Sequence, residues 1–400
     1  MTARINEHTT GNHMNLIPDI TAFHGEMIHW RRDLHRHPEL CHQEKRTARK
    51  AVELLESFGL DEIRQNVGTT GVLGVLRNGE GPVIALRADM DALAVADAGE
   101  HDHRSTHDGV THACGHDGHT AMLLGAAKYL AESRRFRGTV IFVFQPAEEN
   151  ATGALCMLAD GFLKEHGIQS IYSLHSLAGL PVTGISITLG KALASVNSFT
   201  ITITGRGGHA GVPHLTRDPI VAGASMVTAL QSIVSRRVDP LDGVVISVTS
   251  FQSASRTHNV IPESVEIMGT LRYMDTRYED ELPEKVNSLV QGLAAAHEVS
   301  ASFEYAKGCP PLVNPEKEVR FALKVAEELV GPANVIEGSP IMGGEDFAFF
   351  LEQVPGVFAF IGNGEDSYPL HHAAFDFNDD ALPVGASYFC RIVERALQPV

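Results

Sequence analysis

One thiol, three imidazoles and a carboxylate are packed together in His112-Ala-Cys-Gly-His-Asp-Gly-His119. These are the residue types of a metal site, because a thiolate beside a neutral imidazole suits Zn²⁺ or a similar divalent ion. Gly115 and Gly118 let the backbone turn so that Cys114 and His116 point at one centre. A Cys-x-His pair fits no standard structural zinc spacing, however. Alone it reads equally well as a polar loop whose histidines cap and hydrogen-bond.

Three further groups complete such a site. Arg87-Ala-Asp-Met-Asp91, Gln145-Pro-Ala-Glu-Glu149 and Leu174-His175 each end or follow a short apolar run. Singly they are weak signals: a glutamate pair usually opens a solvated helix, and a histidine after a strand is usually a satisfied loop residue. In an α/β sheet, though, ligands gather at the carboxyl ends of strands. A hydrolytic pair of divalent ions takes roughly five or six protein ligands, a water between the ions and a carboxylate base beside that water. Cys114, His116, one of Glu148 and Glu149, His175 and one histidine of Leu370-His-His-Ala-Ala-Phe375 supply that number. Adjacent glutamates project in different directions, so one can bind metal while its neighbour stays free as base. The same adjacency excludes glycoside hydrolysis, which needs facing carboxylates roughly 5 to 9.5 Å apart.

Such residues need a scaffold. Ile20, Phe23, Met27, Trp30 and Leu34 recur at helical spacing, which predicts an amphipathic helix ending before Pro38. A second helix is expected from Glu44 to Phe58, closed by Gly59. Apolar runs at Val72–Leu76, Val83–Arg87, Thr139–Gln145 and Ile171–Leu174 alternate with helices at Thr120–Leu130 and Thr152–Ala159. This alternation implies a buried, partly parallel sheet. Between 191 and 306 the pattern changes to β (Phe199–Thr204), α (Asp218–Arg236), β (Val244–Thr249), β (Val265–Leu271), α (Tyr278–Ala295), β (Ser302–Tyr305). That order is the ferredoxin-like βαββαβ unit, read as an insertion. Helix Glu316–Leu329, strand Val357–Ile361 and a last helix at Asp380–Leu397 then resume the first pattern, so the first domain is discontinuous.

Composition narrows the partners. The chain has 400 residues, long enough for two domains, and carries 32 basic against 49 acidic residues for a formal charge of −17. That charge repels nucleic acid and anionic membrane surfaces. Five scattered cysteines argue against a disulfide scaffold and for a reducing compartment, with the cytoplasm as the default. The first 15 residues lack the apolar core of a signal peptide, and no run of about 18 apolar residues marks a membrane span. Of the 21 histidines, His35, His37, His101, His103 and His107 read as surface or helix-end residues.

Seven ordered motifs carry a family resemblance: HACGHDGH at 112–119, QPAEE at 145–149, LH at 174–175, GRGGHAGVPH at 205–214, NVIP at 259–262, MGGEDF at 342–347 and LHHAAFDF at 370–377. Across nearly the whole chain they resemble the metal-dependent amidohydrolases that include hippurate hydrolase, N-acetyl-amino-acid and N-acetyldiaminopimelate deacetylases and auxin-conjugate hydrolases. The resemblance implies an α/β fold: a di-metal aminopeptidase-like catalytic domain with an α/β/α mixed sheet at 1–190 and 307–400, and an inserted ferredoxin-like dimerisation domain at 191–306. It implies that Cys114, His116, Glu149, His175 and His371 bind two divalent ions (Zn, Mn, Co or Ni), with Glu148 as general base. His371 is preferred to His372 by the family's Leu-His order. Asp89, with Asp117 and Glu345, is expected to orient ligands. His209 is expected to reach the active site of a partner subunit in a homodimer and stabilise an oxyanion, while His214, Asn259 and Arg272 hold a substrate carboxylate. The implied reaction is hydrolysis of a small N-acyl amino acid (N-acetyl, N-benzoyl or indoleacetyl) to a carboxylic acid and a free amino acid.

Rival readings differ in what they leave unexplained. A thiol hydrolase using Cys114 as nucleophile gives Glu149, His175 and His371 no role. A metal-stabilised binding module gives Glu148 none. A dipeptidase, carboxypeptidase or aryl-amine deaminase would use the same centre with a different pocket.

Overall fold

The computed structural model describes residues 14–398, so most of the stretch read for a signal peptide lies outside the described residues. The chain forms two compact units. The first comprises the described residues up to Gly190, Asn314–Gly338 and those from Phe349 on; the second comprises Lys191–Val313 and Ser339–Ala348.

The first unit is built on one mixed sheet. Its first six strands are β1 (Glu62–Val67), β2 (Gly71–Asn78), β3 (Val83–Asp89), β4 (Gly138–Gln145), β5 (Ser170–Leu177) and β6 (Ile185–Ile187). The sheet order is β1-β2-β4-β3-β5, then Gly356–Gly362, β6 and Val335–Glu337. β3 runs parallel to both β4 and β5, and Gly356–Gly362 parallel to β5. The centre of the sheet is covered on both faces, so β4 is wholly buried from Val140 to Gln145 and reads as a continuous apolar run up to Phe144. β1 escapes sequence analysis because it is an edge strand of half-buried Glu62, Ile63 and Arg64 and exposed Gln65 and Asn66, which carries no apolar run.

Helix His116–Ser133 crosses this core and packs against helices His24–Arg36 and Leu382–Ala396. It is apolar on nearly every face, as a central helix must be. Met122, Leu123, Leu124 and Leu130 are fully buried, each contributing about 1.5–3 kcal/mol of transfer free energy. The helix begins at His116 rather than Thr120, since Gly115 at φ 88° turns the chain directly into it. Gly118 acts differently from Gly115: it lies inside the helix, where a Cβ would sit 2.3 Å from the Phe377 ring. The opening helix is split at Phe23 into Pro18–Ala22 and His24–Arg36.

The second unit has an antiparallel sheet in the order Val244–Ser253, Ser264–Tyr273, Asn197–Thr204, Ser300–Ala306, with helices Pro219–Arg237 and Tyr278–Ala296. This is the ferredoxin-like arrangement. Phe199, Ile201 and Ile203 face its core, and Asp218 caps the first helix by accepting from Ile220 N at 2.9 Å. Ser339–Ala348, left with residues 307–400 in the sequence reading, groups with this unit. Its main chain pairs there: Ile341 N donates to Ala192 O at 2.9 Å, and Arg272 Nη1 donates to Met342 O at 2.7 Å.

Candidate metal centre

Three adjacent parallel strands bring their carboxyl ends to one edge. Asp89 of β3 lies opposite Gln145 of β4, and Arg87 opposite Ser173 of β5, which carries His175 two residues on. The buried Arg87 guanidinium braces the edge. Its Nε donates to Gln145 Oε1 and its Nη1 to Asp89 Oδ2, both at 2.8 Å. A buried charge is tolerated only when paired and bonded in this way.

Two groups of donor atoms meet above that edge and share His116. Donor atoms of Cys114, His116 and Glu149 lie within 4.8 Å of one another, as do those of Asp89, His116, His119 and His175. Glu149 spans two imidazoles: Oε1 is 3.8 Å from His116 Nε2 and Oε2 is 3.6 Å from His371 Nε2. Cys114 Sγ lies 3.5 Å from His175 Nε2. His175 donates from Nδ1 to Ser176 O at 2.7 Å, which leaves the Nε2 lone pair facing the thiol. His371 N donates to Ala113 O at 2.7 Å, and His371 holds a left-handed φ of 67°, a strained conformation of the kind found at functional sites. His372 turns elsewhere, stacking on Tyr368 at 4.6 Å.

These residues fit a pair of divalent ions. His116 Nε2 and Glu149 Oε1 are buried with no hydrogen-bond partner among the described residues, although buried polar groups are ordinarily satisfied. Thiolate, imidazole and carboxylate together form a donor set for Zn²⁺ and its neighbours. Electrostatics agree. Burial disfavours a charged His116, yet Asp89, Asp91 and Glu149 outweigh it and raise its pKa to about 10. Burial raises Glu149 to about 7, helped by Asp91 against the pull of His116. A proton held on an imidazole by three carboxylates marks a place where a cation replaces it.

His119 belongs to the donor cluster but has no free lone pair. Ser176 N donates to its Nε2 at 2.8 Å, so its Nδ1 carries the proton and donates to Asp89 Oδ1 at 2.6 Å. Asp89 is thereby held between Arg87 and His119, with Oδ2 3.8 Å from His116 Nε2.

Asp91 is the residue that sequence reasoning missed. Its Oδ1 lies 3.3 Å from His116 Nδ1, and its two oxygens accept from Glu148 N and Glu149 N, each at 3.0 Å. One carboxylate thus orients a candidate ligand and fixes the turn that presents both glutamates. Ala147 in that turn has φ 51°, and its N donates to buried Glu44 Oε1 at 2.8 Å. The only sequence signal for Asp91 was its place in Arg87-Ala-Asp-Met-Asp91.

Asp117 and Glu345, also expected to orient ligands, have partners of their own. Asp117 points to another cluster, accepting from His35 Nδ1 at 2.8 Å with Arg31 Nη1 3.5 Å away. Glu345, in the second unit, accepts from Phe347 N at 3.0 Å. His35 and His103, read as surface or helix-end residues, are both buried.

The remaining expected residues lie in the second unit. His209 and Asn259 share a two-stranded ribbon in which Val260 is opposite His209 and Ala210 N donates to Asn259 O at 3.0 Å. His209 is exposed, and its Nδ1 accepts from Gly211 N at 2.9 Å. His214 is exposed on the short 3₁₀ turn Pro213–Leu215, and Arg272 holds the Met342 carbonyl.

Known proteins are similar to this one over nearly the whole chain. Hippurate hydrolase of Campylobacter jejuni is 38% identical over 387 residues, covering 96% of this chain and 100% of that protein. N-acetylcysteine deacetylase of Bacillus subtilis is 39% identical over 382 residues, covering 95% and 99%. The crystal structure of the Bacillus subtilis YXEP protein, described as a dinuclear metal binding peptidase, superposes with a TM-score of 0.81 at 35% identity, covering 94% of this chain and 99% of that one. The family profile matches residues 85–395, from the Arg87 brace through the His371 segment. The chain belongs to peptidase family M20/M25/M40.

Proposed function

We propose that this protein hydrolyses the amide bond of N-acyl amino acids at a pair of divalent metal ions, releasing a carboxylic acid and a free amino acid. The observation that carries this reading is Glu149 spanning His116 and His371 while the adjacent Glu148 is held by its backbone to Asp91. Cys114, His116, Glu149, His175 and His371 are the proposed ligands. When bound, the ions supply Lewis acidity, acidifying water and polarising the acyl carbonyl. Glu148 takes the proton of the attacking water and returns it to the leaving amine. Asp91 and Asp89 keep the ligand imidazole and the base in register. His209 donates to the oxyanion of the tetrahedral intermediate, and His214, Asn259 and Arg272 hold the substrate carboxylate.

The names of the relatives support an amino-acid amide as substrate. The acyl preference is tested by following amino-acid release from N-acetyl, N-benzoyl and indoleacetyl amino acids, with a dipeptide series alongside. Turnover of the N-acyl series that is lost on chelation and regained on metal addition supports the reading. Turnover of dipeptides alone overturns it.

We further propose that the protein is a homodimer joined through residues 191–306 of the second unit, with His209 serving the partner's site, and that it works in the cytoplasm. The exposed His209 supports the first point. Five free cysteines support the second. Among the described residues no helix is long and apolar enough to cross a membrane. A monomeric mass in light scattering, or full activity of His209→Ala, contradicts the shared-site arrangement.

A further inference from the structure

A second group of buried histidines and carboxylates lies outside the candidate metal pair. His35, on helix His24–Arg36, is fully buried. Its Nδ1 donates to Asp117 Oδ2 at 2.8 Å, which leaves Nε2 with a lone pair and no hydrogen-bond partner among the described residues. That nitrogen lies 3.5 Å from Asp97 Oδ2, too far for a good hydrogen bond and unfavourable for two facing lone pairs. A proton between them would settle His35 alone. It would not settle His101, whose two ring nitrogens are both buried and, among the described residues, both without a hydrogen-bond partner. Donor atoms of His35, His101 and Asp376 lie within 4.8 Å of one another.

The surroundings are shaped for this. His101 stacks on His103 with centroids 3.9 Å apart, and its ring edge meets His35 at 5.0 Å. Gly99 makes room for the ring, since a Cβ there would sit 2.4 Å from His101 Nε2. Asp376 also receives Arg31 Nη1 at 2.7 Å and His103 Nε2 at 3.0 Å, within the roughly four lone-pair sites of a carboxylate. Asp117, Asp376 and Asp379 all face one guanidinium, that of Arg31, so three carboxylates share a single fixed cation beside the cluster.

We infer that His35 Nε2, His101 and Asp376 hold a divalent transition-metal ion distinct from the catalytic pair. The two-imidazole, carboxylate donor set favours Zn²⁺, and the Asp117–His35 hydrogen bond is the carboxylate–histidine contact that orients metal-binding imidazoles. The ion clips the Asp97–His107 loop and the opening helix to the segment carrying His371. Ala98 N already donates to Ala373 O at 2.8 Å in that segment.

The test is metal stoichiometry on the full protein after chelation and titration with Co²⁺ or Zn²⁺. The wild type should bind three equivalents, His101→Gln two, and Gly99→Ala three with one at least tenfold weaker. The Co²⁺ equivalent lost in His101→Gln should lack the thiolate charge-transfer band of the Cys114 site. Should the catalytic pair proposed above be wrong, the wild type binds one equivalent and His101→Gln none. Equal stoichiometry and affinity in the wild type and both variants overturns the inference.

Discussion

Asp91 Oδ1 lies 3.3 Å from His116 Nδ1, and the same carboxylate holds the backbone N–H groups of Glu148 and Glu149. Losing this contact frees the imidazole to rotate and the glutamate turn to relax. Asp91→Asn keeps the shape and removes the charge, and such changes beside a metal ligand cost about 10–100-fold in affinity. Chelator competition should show that weakening, with activity partly rescued by excess metal. Unchanged affinity would make Asp91 a bystander.

Glu149 and Glu148 are adjacent but should fail differently. Glu149→Ala should lose bound metal, because its two oxygens face two candidate ligands. Metal content by mass spectrometry and amide turnover should fall together. A variant that keeps its full metal complement removes Glu149 from the ligand set.

His35 makes stability pH-dependent once metal is stripped. Burial opposes its charge, but Asp117 and Asp97 outweigh burial and raise its pKa to about 9 from the ordinary 6.5. A raised folded-state pKa stabilises the fold fully below pH 6.5, and the gain is lost as pH rises through about 9. The shift corresponds to about 3 kcal/mol at most. Urea unfolding of chelated protein at pH 6 and pH 9.5 should show a steeper loss for the wild type than for His35→Gln. Parallel losses would contradict it.

Gly118→Ala sets two effects against each other. Alanine in a helix interior gains about 1 kcal/mol over glycine. Here its methyl would sit 2.3 Å from the Phe377 ring, and overpacking a tight core costs about 1–3 kcal/mol. Phe377 is buried, so packing should win and the melting temperature should fall by a few degrees. An increase would show that Phe377 moves freely.

The sequence made the strands that carry the site legible. β3, β4 and β5 are apolar runs ending in Asp89, Gln145 and the His175 segment, and parallel pairing alone brings those ends together. Donor types and their order pointed to Cys114, His116, one of Glu148 and Glu149, His175 and one late histidine, and the family resemblance chose Glu149 and His371. Asp91 was not legible, because its role depends on a turn whose Ala147 adopts φ 51°, a conformation nothing in Pro-Ala-Glu announces. His35 was not legible either. It sits among charged helix neighbours, and its partner Asp117 is 82 residues away. The two halves of HDGH also diverge in a way spacing conceals: His116 turns toward the carboxylates of the pair, while Asp117 turns toward His35.

The central claim is that Glu148 moves the proton while its neighbours hold the metal. Glu148→Gln, assayed for metal content and for release of amino acid from an N-acyl substrate, tests this most directly. The account predicts the full metal complement with turnover reduced about 10²–10⁴-fold, the usual worth of a general base. Normal turnover in Glu148→Gln, or wild-type activity in protein free of metal, would contradict it.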